Sequence, residues 1–252
     1  MKRSRESYSV SLASGETLRG DISYNGSPSG MAIVYVHGLG SFRGGEKSQA
    51  LEDACAERGL CFSAFDFRGH GQSDGSLSDL TGSRLLEDLA AIRHYLMGRG
   101  IRRLGLVGSS MGGWASAWFG LQAGEVTRCV LLAPAFRFLQ RRWESLTPEQ
   151  QEDWKNQGSH LFTGQWVDAE LKYAFAEERY AFSPTALAFR WQKPMLILHG
   201  LADDVVPVSD SWDFLNSCPY PHLQLRVFKN GDHRLTQFKA EIGQEACRFL
   251  SE

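Results

Sequence analysis

Three short stretches of the chain carry residue types suited to nucleophilic acyl chemistry. The first is Gly108-Ser109-Ser110-Met111-Gly112, which follows the apolar run Leu104 to Val107. It reads as a buried strand that stops at Gly-x-Ser-x-Gly and turns at once into a helix. So sharp a turn strains the Ser110 backbone and exposes its hydroxyl. A side chain at Gly108 or Gly112 would collide with the neighbouring strand or helix. The helix start aims free N–H groups and a positive dipole end at developing negative charge. A serine hydroxyl is nearly inert at neutral pH and needs a base, an orienting acid and an oxyanion hole. The stretch His199 to Pro207 offers a carboxylate, Asp203 or Asp204. Asn230-Gly231-Asp232-His233 offers an imidazole. Both follow strand-like runs, so both groups can face one edge of a sheet.

Neighbouring residues have plainer roles. Ser109 is placed in the turn so that its side chain points elsewhere. Asp232 sits beside His233 and reads as a turn residue. His37 and His199 end apolar runs without a third ligand at metal spacing, so packing or loop hydrogen bonding is expected. His70 reads as a loop organiser, and Asp66 and Arg68 as a structural ion pair. Arg137, Arg141 and Arg142 would share one helix face. That face is either solvated or a patch that receives an anion.

The elements that must position these groups are legible as apolar runs between glycines. Tyr8 to Leu12 and Thr17 to Tyr24 read as two strands joined by a turn. Met31 to Val36, Leu60 to Phe65, Leu104 to Val107, Val126 to Ala133, Pro194 to Leu198 and Leu223 to Phe228 read as further strands. Glu46 to Arg58, Ser83 to Met97, Met111 to Gln122 and Leu235 to Leu250 have helical spacing. Strands and helices alternate from residue 31 onward, which predicts an α/β fold with a mostly parallel, doubly wound sheet of about eight strands. Residues 135–192 break the alternation and hold 12 of the 29 aromatic residues. A disordered linker would lack those rings. The segment is expected to be a small, mostly helical cap inserted in a core of 1–134 and 193–252. Helices are expected near Thr147-Pro148-Glu149 and from Val167 to Ala176. Its Trp143, Trp154, Phe162, Trp166, Phe175, Phe182 and Trp191 are expected mainly in the cap core, with a subset lining an apolar acyl pocket.

Composition excludes several classes. The chain has 252 residues, 42% of them hydrophobic, and a formal charge of −2. That length allows one large α/β domain, and the charge provides no field to attract nucleic acid. No apolar window is long enough for a membrane span, and the start lacks a secretory h-region. The five cysteines have no CxxC spacing, so neither a zinc site nor a disulfide framework is expected. Inert thiols in a reducing, cytoplasmic setting are the expectation.

Taken together, several motifs resemble the α/β-hydrolase fold serine hydrolases over essentially the whole chain. They are the His37-Gly38-Leu39-Gly40 strand end, the Asp66-to-Ser73 loop, the Gly108-to-Gly112 turn, the Asp203 loop ending Val206-Pro207, and His233. Within that family, Gly113-Trp114 after the turn, the doubled acid Asp203-Asp204 and Asp232-His233-Arg234 resemble the mitochondrial acyl-protein thioesterase and acyl-glucuronide esterase subfamily. The resemblance implies Ser110 as nucleophile, His233 as base and Asp203 as the orienting acid. Asp204 is then left to cap a helix or make a surface pair. The backbone amides of Leu39 and Met111 would form the oxyanion hole. The implied activity is hydrolysis of a carboxylic ester or acyl thioester through an acyl-Ser110 intermediate, with no metal or organic cofactor. The substrate would be a small acyl ester or thioester, free or carried on a protein. Alternatives are a small-molecule carboxylesterase, a carrier-bound methyl ester esterase, an acyltransferase, or a non-catalytic receptor.

Overall fold

A computed structural model describes residues 3–28, 30–164 and 167–252. Two antiparallel strands open the chain, β1 (Arg3–Ser11) and β2 (Thr17–Asn25). Then come β3 (Gly30–Val36), α1 (Glu46–Glu57), β4 (Cys61–Asp66), α2 (Gly82–Gly98), β5 (Ile101–Ser109), α3 (Met111–Gln122) and β6 (Val126–Leu132). An excursion follows, with α4 (Phe138–Glu144), α5 (Pro148–Gln157), β7 (Ser159–Phe162), β8 (Ala169–Lys172), α6 (Tyr173–Glu177) and α7 (Pro184–Arg190). The chain returns through β9 (Met195–Gly200), α8 (Val208–Ser217), β10 (Leu223–Phe228) and α9 (Lys239–Ser251).

Eight strands form one sheet in the order β1-β2-β4-β3-β5-β6-β9-β10. The β1–β2 and β2–β4 pairs are antiparallel, and the remaining pairs are parallel. Strands buried on both faces must alternate between two cores. Leu104, Leu106, Leu131 and Ile197 accordingly join the core that contains α2 and α3 residues. Val107, Val130, Leu132 and Leu198 join the opposite core, with Leu51 and Cys55 of α1 and Ile242 and Cys247 of α9. Burying these side chains stabilises the fold by about 1.5–3 kcal/mol each before entropy is subtracted. The five cysteines are free, and Cys218 alone among them is only half-buried.

The excursion differs most from expectation. Its first expected helix is present as α5, with Pro148 at N1. Thr147 and Gln150 form a reciprocal capping box there. The helix expected from Val167 to Ala176 is instead β8 followed by the short α6. β8 pairs with β7 as a two-stranded antiparallel hairpin. Strands of four residues carry too short an alternation to be told from helix by pattern alone. The terminal helix also starts later than expected. Leu235 has φ 54° and Thr236–Phe238 form a 3-10 turn, so α9 begins at Lys239.

Candidate active site

Ser110 stands at the junction of β5 and α3 with φ 54° and ψ −115°. A residue with a Cβ is strained in that conformation. The junction holds it by bonding its main chain on both sides. The Ser110 N–H donates to the Leu132 carbonyl at 2.9 Å. Its carbonyl accepts from Gly113, Trp114 and Ala135. The glycines flanking it have no room for a side chain. A Cβ on Gly108 would lie 2.4 Å from the Gly112 oxygen, and one on Gly112 would lie 2.1 Å from the Val36 oxygen.

The loops after β9 and β10 bring the other two groups to the same edge. The Ser110 Oγ lies 3.0 Å from His233 Nε2, and His233 Nδ1 lies 2.8 Å from Asp203 Oδ2. The second Asp203 oxygen accepts the Val205 and Val206 amides at 2.9 and 2.8 Å. Burial alone would raise the Asp203 pKa. Hydrogen bonds from His199 and His233 outweigh that and hold the carboxyl well below its usual range. Asp204, one residue on, is exposed. Asp232 accepts the Leu235 amide at 2.8 Å, the turn role its position implied.

The two backbone amides expected to bind an oxyanion belong to segments next to Ser110. Met111 opens α3, where first-turn N–H groups have no acceptor within the helix. Leu39 follows Gly38, and Gly38 runs so close that a Cβ there would come within 3.3 Å of Ser110 Cβ. His37 fixes this loop. Its Nε2 accepts the Phe67 amide at 3.0 Å, so Nδ1 carries the proton and donates to the Gly38 oxygen at 2.8 Å. That oxygen belongs to the peptide whose N–H is Leu39's. Burial and the nearby His70 lower the His37 pKa to about 3, so the ring stays neutral.

Two neighbours of the site were not anticipated in these roles. His199 Nε2 lies 3.1 Å from Asp203 Oδ2, and its Nδ1 lies 2.7 Å from Ser211 Oγ. Loop hydrogen bonding was expected of it, but not contact with Asp203. Its one sequence signal is its place four residues before Asp203 at a strand end. Lys47 of α1 donates from Nζ to Ser109 Oγ at 2.7 Å. Ser109 thus has a partner other than His233. Nothing in the helical pattern of 46–58 marks Lys47.

Other expectations are corrected. Asp66 and Arg68 do not pair. Asp66 holds Arg43, while Arg68 binds Asp88 at 2.6 Å and Glu87 at 2.8 Å. Asp66 ends β4 while Arg68 lies two residues beyond it in the following turn, where the strand period no longer sets direction, so each meets a different partner. A cavity of about 780 Å³ opens over Ser110. Of the aromatic residues expected to line it, none that is described does so. Trp166 lies outside the described residues. Trp154, Phe175 and Trp191 are fully buried, and Trp154 packs on Trp143, Phe162 and Phe175. Phe138 lines the cavity instead. Among the described residues, no group of three or more His, Cys, Asp or Glu is placed to hold a metal ion. No described helix is long and apolar enough to cross a membrane.

Comparison with known proteins agrees with this geometry. Residues 33–245 match the alpha/beta hydrolase family. The mouse mitochondrial palmitoyl-protein thioesterase ABHD10 is 28% identical over 220 residues, covering 85% of this chain and 72% of the relative. A putative hydrolase from Agrobacterium vitis S4 superposes with a TM-score of 0.85 at 24% identity, covering both chains fully. Mouse alpha/beta hydrolase domain-containing protein 10 superposes with a TM-score of 0.80 at 24% identity, covering 96% of each chain. The cytoplasmic location expected from the sequence is overturned by these relatives: the matched mouse, rat and cattle proteins are mitochondrial. Thiol usage and composition were its basis, and neither records which compartment imports a chain.

Proposed function

Because the chain belongs to the alpha/beta hydrolase family, we propose that it hydrolyses carboxylic esters or acyl thioesters through an acyl-Ser110 intermediate. The observation that carries this reading is the unbroken hydrogen-bonded line from Ser110 Oγ through the His233 ring to Asp203. His233 Nε2 takes the hydroxyl proton as Ser110 Oγ attacks the acyl carbonyl. The tetrahedral oxyanion is held by the amides of Leu39 and Met111. One such donor contributes about 3–4 kcal/mol to barrier lowering. His233 then gives its proton to the departing oxygen or sulfur. Water repeats the sequence and frees the acid. Asp203 holds the ring with Nδ1 protonated and stabilises the imidazolium.

The segment 135–192 acts as a cap over this centre, on a core of 1–134 and 193–252. Phe138, Arg141 and Arg142 of α4 and Val167 contribute to the cavity wall, which supports that role. Thioesters are favoured over oxygen esters by the similarity to the mouse thioesterase; the reaction chemistry serves either. The test is a panel of p-nitrophenyl esters and acyl-CoA thioesters of rising chain length, assayed with the wild type and Ser110→Ala. Turnover that persists undiminished in Ser110→Ala rejects the proposal. A burst of leaving group without further turnover points instead to a receptor or an acyltransferase that lacks its acceptor.

A further inference from the structure

The three arginines that open the 135–192 segment have different electrostatic fates. Arg137 is taken up by Glu144 at 2.7 Å. Arg141 is bound by Asp210 through two hydrogen bonds, one of them 2.8 Å from Nε. Arg142, the next residue, lines the cavity over Ser110 and has no ion pair with any described residue. Its guanidinium sits 5.1 Å from the centre of the Phe162 ring, and burial lowers its pKa.

A second cation reaches the same cavity from α1. Lys47 donates to Ser109 Oγ, a neutral partner, and has no ion pair among the described residues. Burial and the charge of Arg234 outweigh the opposing charges of Asp232 and Asp203 and bring its pKa down to about 8. Arg234 also lines the cavity without a described ion pair. The two carboxylates in the wall are engaged elsewhere. Glu144 holds Arg137, and Glu46 lies 3.6 Å from Lys239.

Cations withdrawn from water without an ion-pair partner are costly to the fold, even where carboxylates such as Asp232 and Asp203 act on Lys47 without pairing with it. A ligand anion would offset that cost through charge-assisted hydrogen bonds, for which a guanidinium fork is well shaped. We propose that Arg142 and Lys47 bind a carboxylate or phosphate carried by the acyl donor, so that the cavity selects anionic esters or thioesters. This inference rests on the hydrolase reading above. It assigns the cavity a charge preference that the serine chemistry itself does not require.

Two pairs of isosteric substrates test it and locate the charge. Mono-p-nitrophenyl glutarate against its terminal amide places the anion on the acyl side. The butyrate ester of 4-hydroxybenzoate against that of 4-hydroxybenzamide places it on the leaving group. At low salt, kcat/KM for the anionic member of one pair should exceed its amide by about tenfold or more, as charged hydrogen bonds allow. R142Q and K47Q should each collapse that ratio, and R142K should retain more of it than R142Q. R190Q, which removes an exposed charge outside the cavity wall, should leave the ratio as it is. A ratio at or below one in both pairs overturns the inference, as does a preference that survives in both R142Q and K47Q. p-Nitrophenyl butyrate separates the two failures. Ser110-dependent cleavage of it without any charge preference defeats this inference alone. Its absence defeats the hydrolase reading and this inference with it.

Discussion

The loops at the carboxyl edge of the sheet and the 135–192 segment above them are built on different principles. At the edge, main-chain constraints set the positions. Ser110 is locked by bonds on both sides of its peptide units, and its flanking glycines leave no space for a Cβ. Asp203 receives two backbone amides as well as two imidazoles. In the segment above, side chains do the fixing. Stacked and edge-on rings centred on Trp154 form its interior. Gln140 ties α4 to the carbonyls of Arg179 and Phe182, and Arg141 ties it to Asp210 of α8. Backbone geometry changes little with substitution, whereas side-chain packing changes readily. The difference teaches that the Ser110, Asp203 and His233 positions are fixed by main-chain geometry, whereas the 135–192 side of the cavity wall is fixed by side chains that substitution can change.

The largest predicted effects fall on the edge. Ser110→Ala should lower kcat by about 10⁴-fold or more while circular dichroism shows the fold retained. Asp203→Asn should cost about 10⁴-fold in kcat, since it disturbs the His233 tautomer. Asp204→Asn should stay near wild type. The reverse ranking would move the acid one residue along. The acid limb comes next. kcat/KM should fall by about tenfold per pH unit once the general base is protonated, because a protonated base cannot accept the hydroxyl proton. Asp203 adds nothing to that limb. Its folded-state pKa is depressed, so its stabilising contribution is present above the ordinary aspartate pKa and is lost only as pH falls through the folded value. A rate that stays flat down to about pH 4 would exclude a histidine base.

Smaller effects are expected above the edge. Arg141→Ala leaves the Asp210 carboxylate, 3% exposed, without its ion-pair partner. Urea unfolding should register a loss of about 1–3 kcal/mol. No loss would mean that the segment is held by its rings alone. The smallest effect concerns charge preference. It should weaken as pH rises past about 8, where Lys47 loses its proton amid Arg234, Asp232 and Asp203, while Arg142 remains charged. A preference that strengthens with pH would place the anion's partner elsewhere.

The same contrast explains what could be read from the sequence. The strands at the edge read as apolar runs, and Ser110, Asp203 and His233 each follow one, so periodicity and order were enough to expect that the three would meet there. The hairpin of β7 and β8 escaped because four residues hold barely two periods of alternation. His199 and Lys47 escaped for another reason. Their partners, Asp203 and Ser109, are reached only after separate loops converge, and no local pattern records that meeting. The Asp66–Arg68 pair failed likewise, since proximity along a strand end is not proximity in space.

The left-handed torsion at residue 110 has a consequence for how this protein can change. Holding a non-glycine residue there costs about 1–3 kcal/mol, drawn from the stability of the whole domain. Ser110→Gly would relieve much of it, so that variant should melt at a higher temperature than the native protein. Under the proposed mechanism, drift toward robustness and retention of turnover pull in opposite directions at this position, where a hydrogen atom would fit with less strain than a side chain.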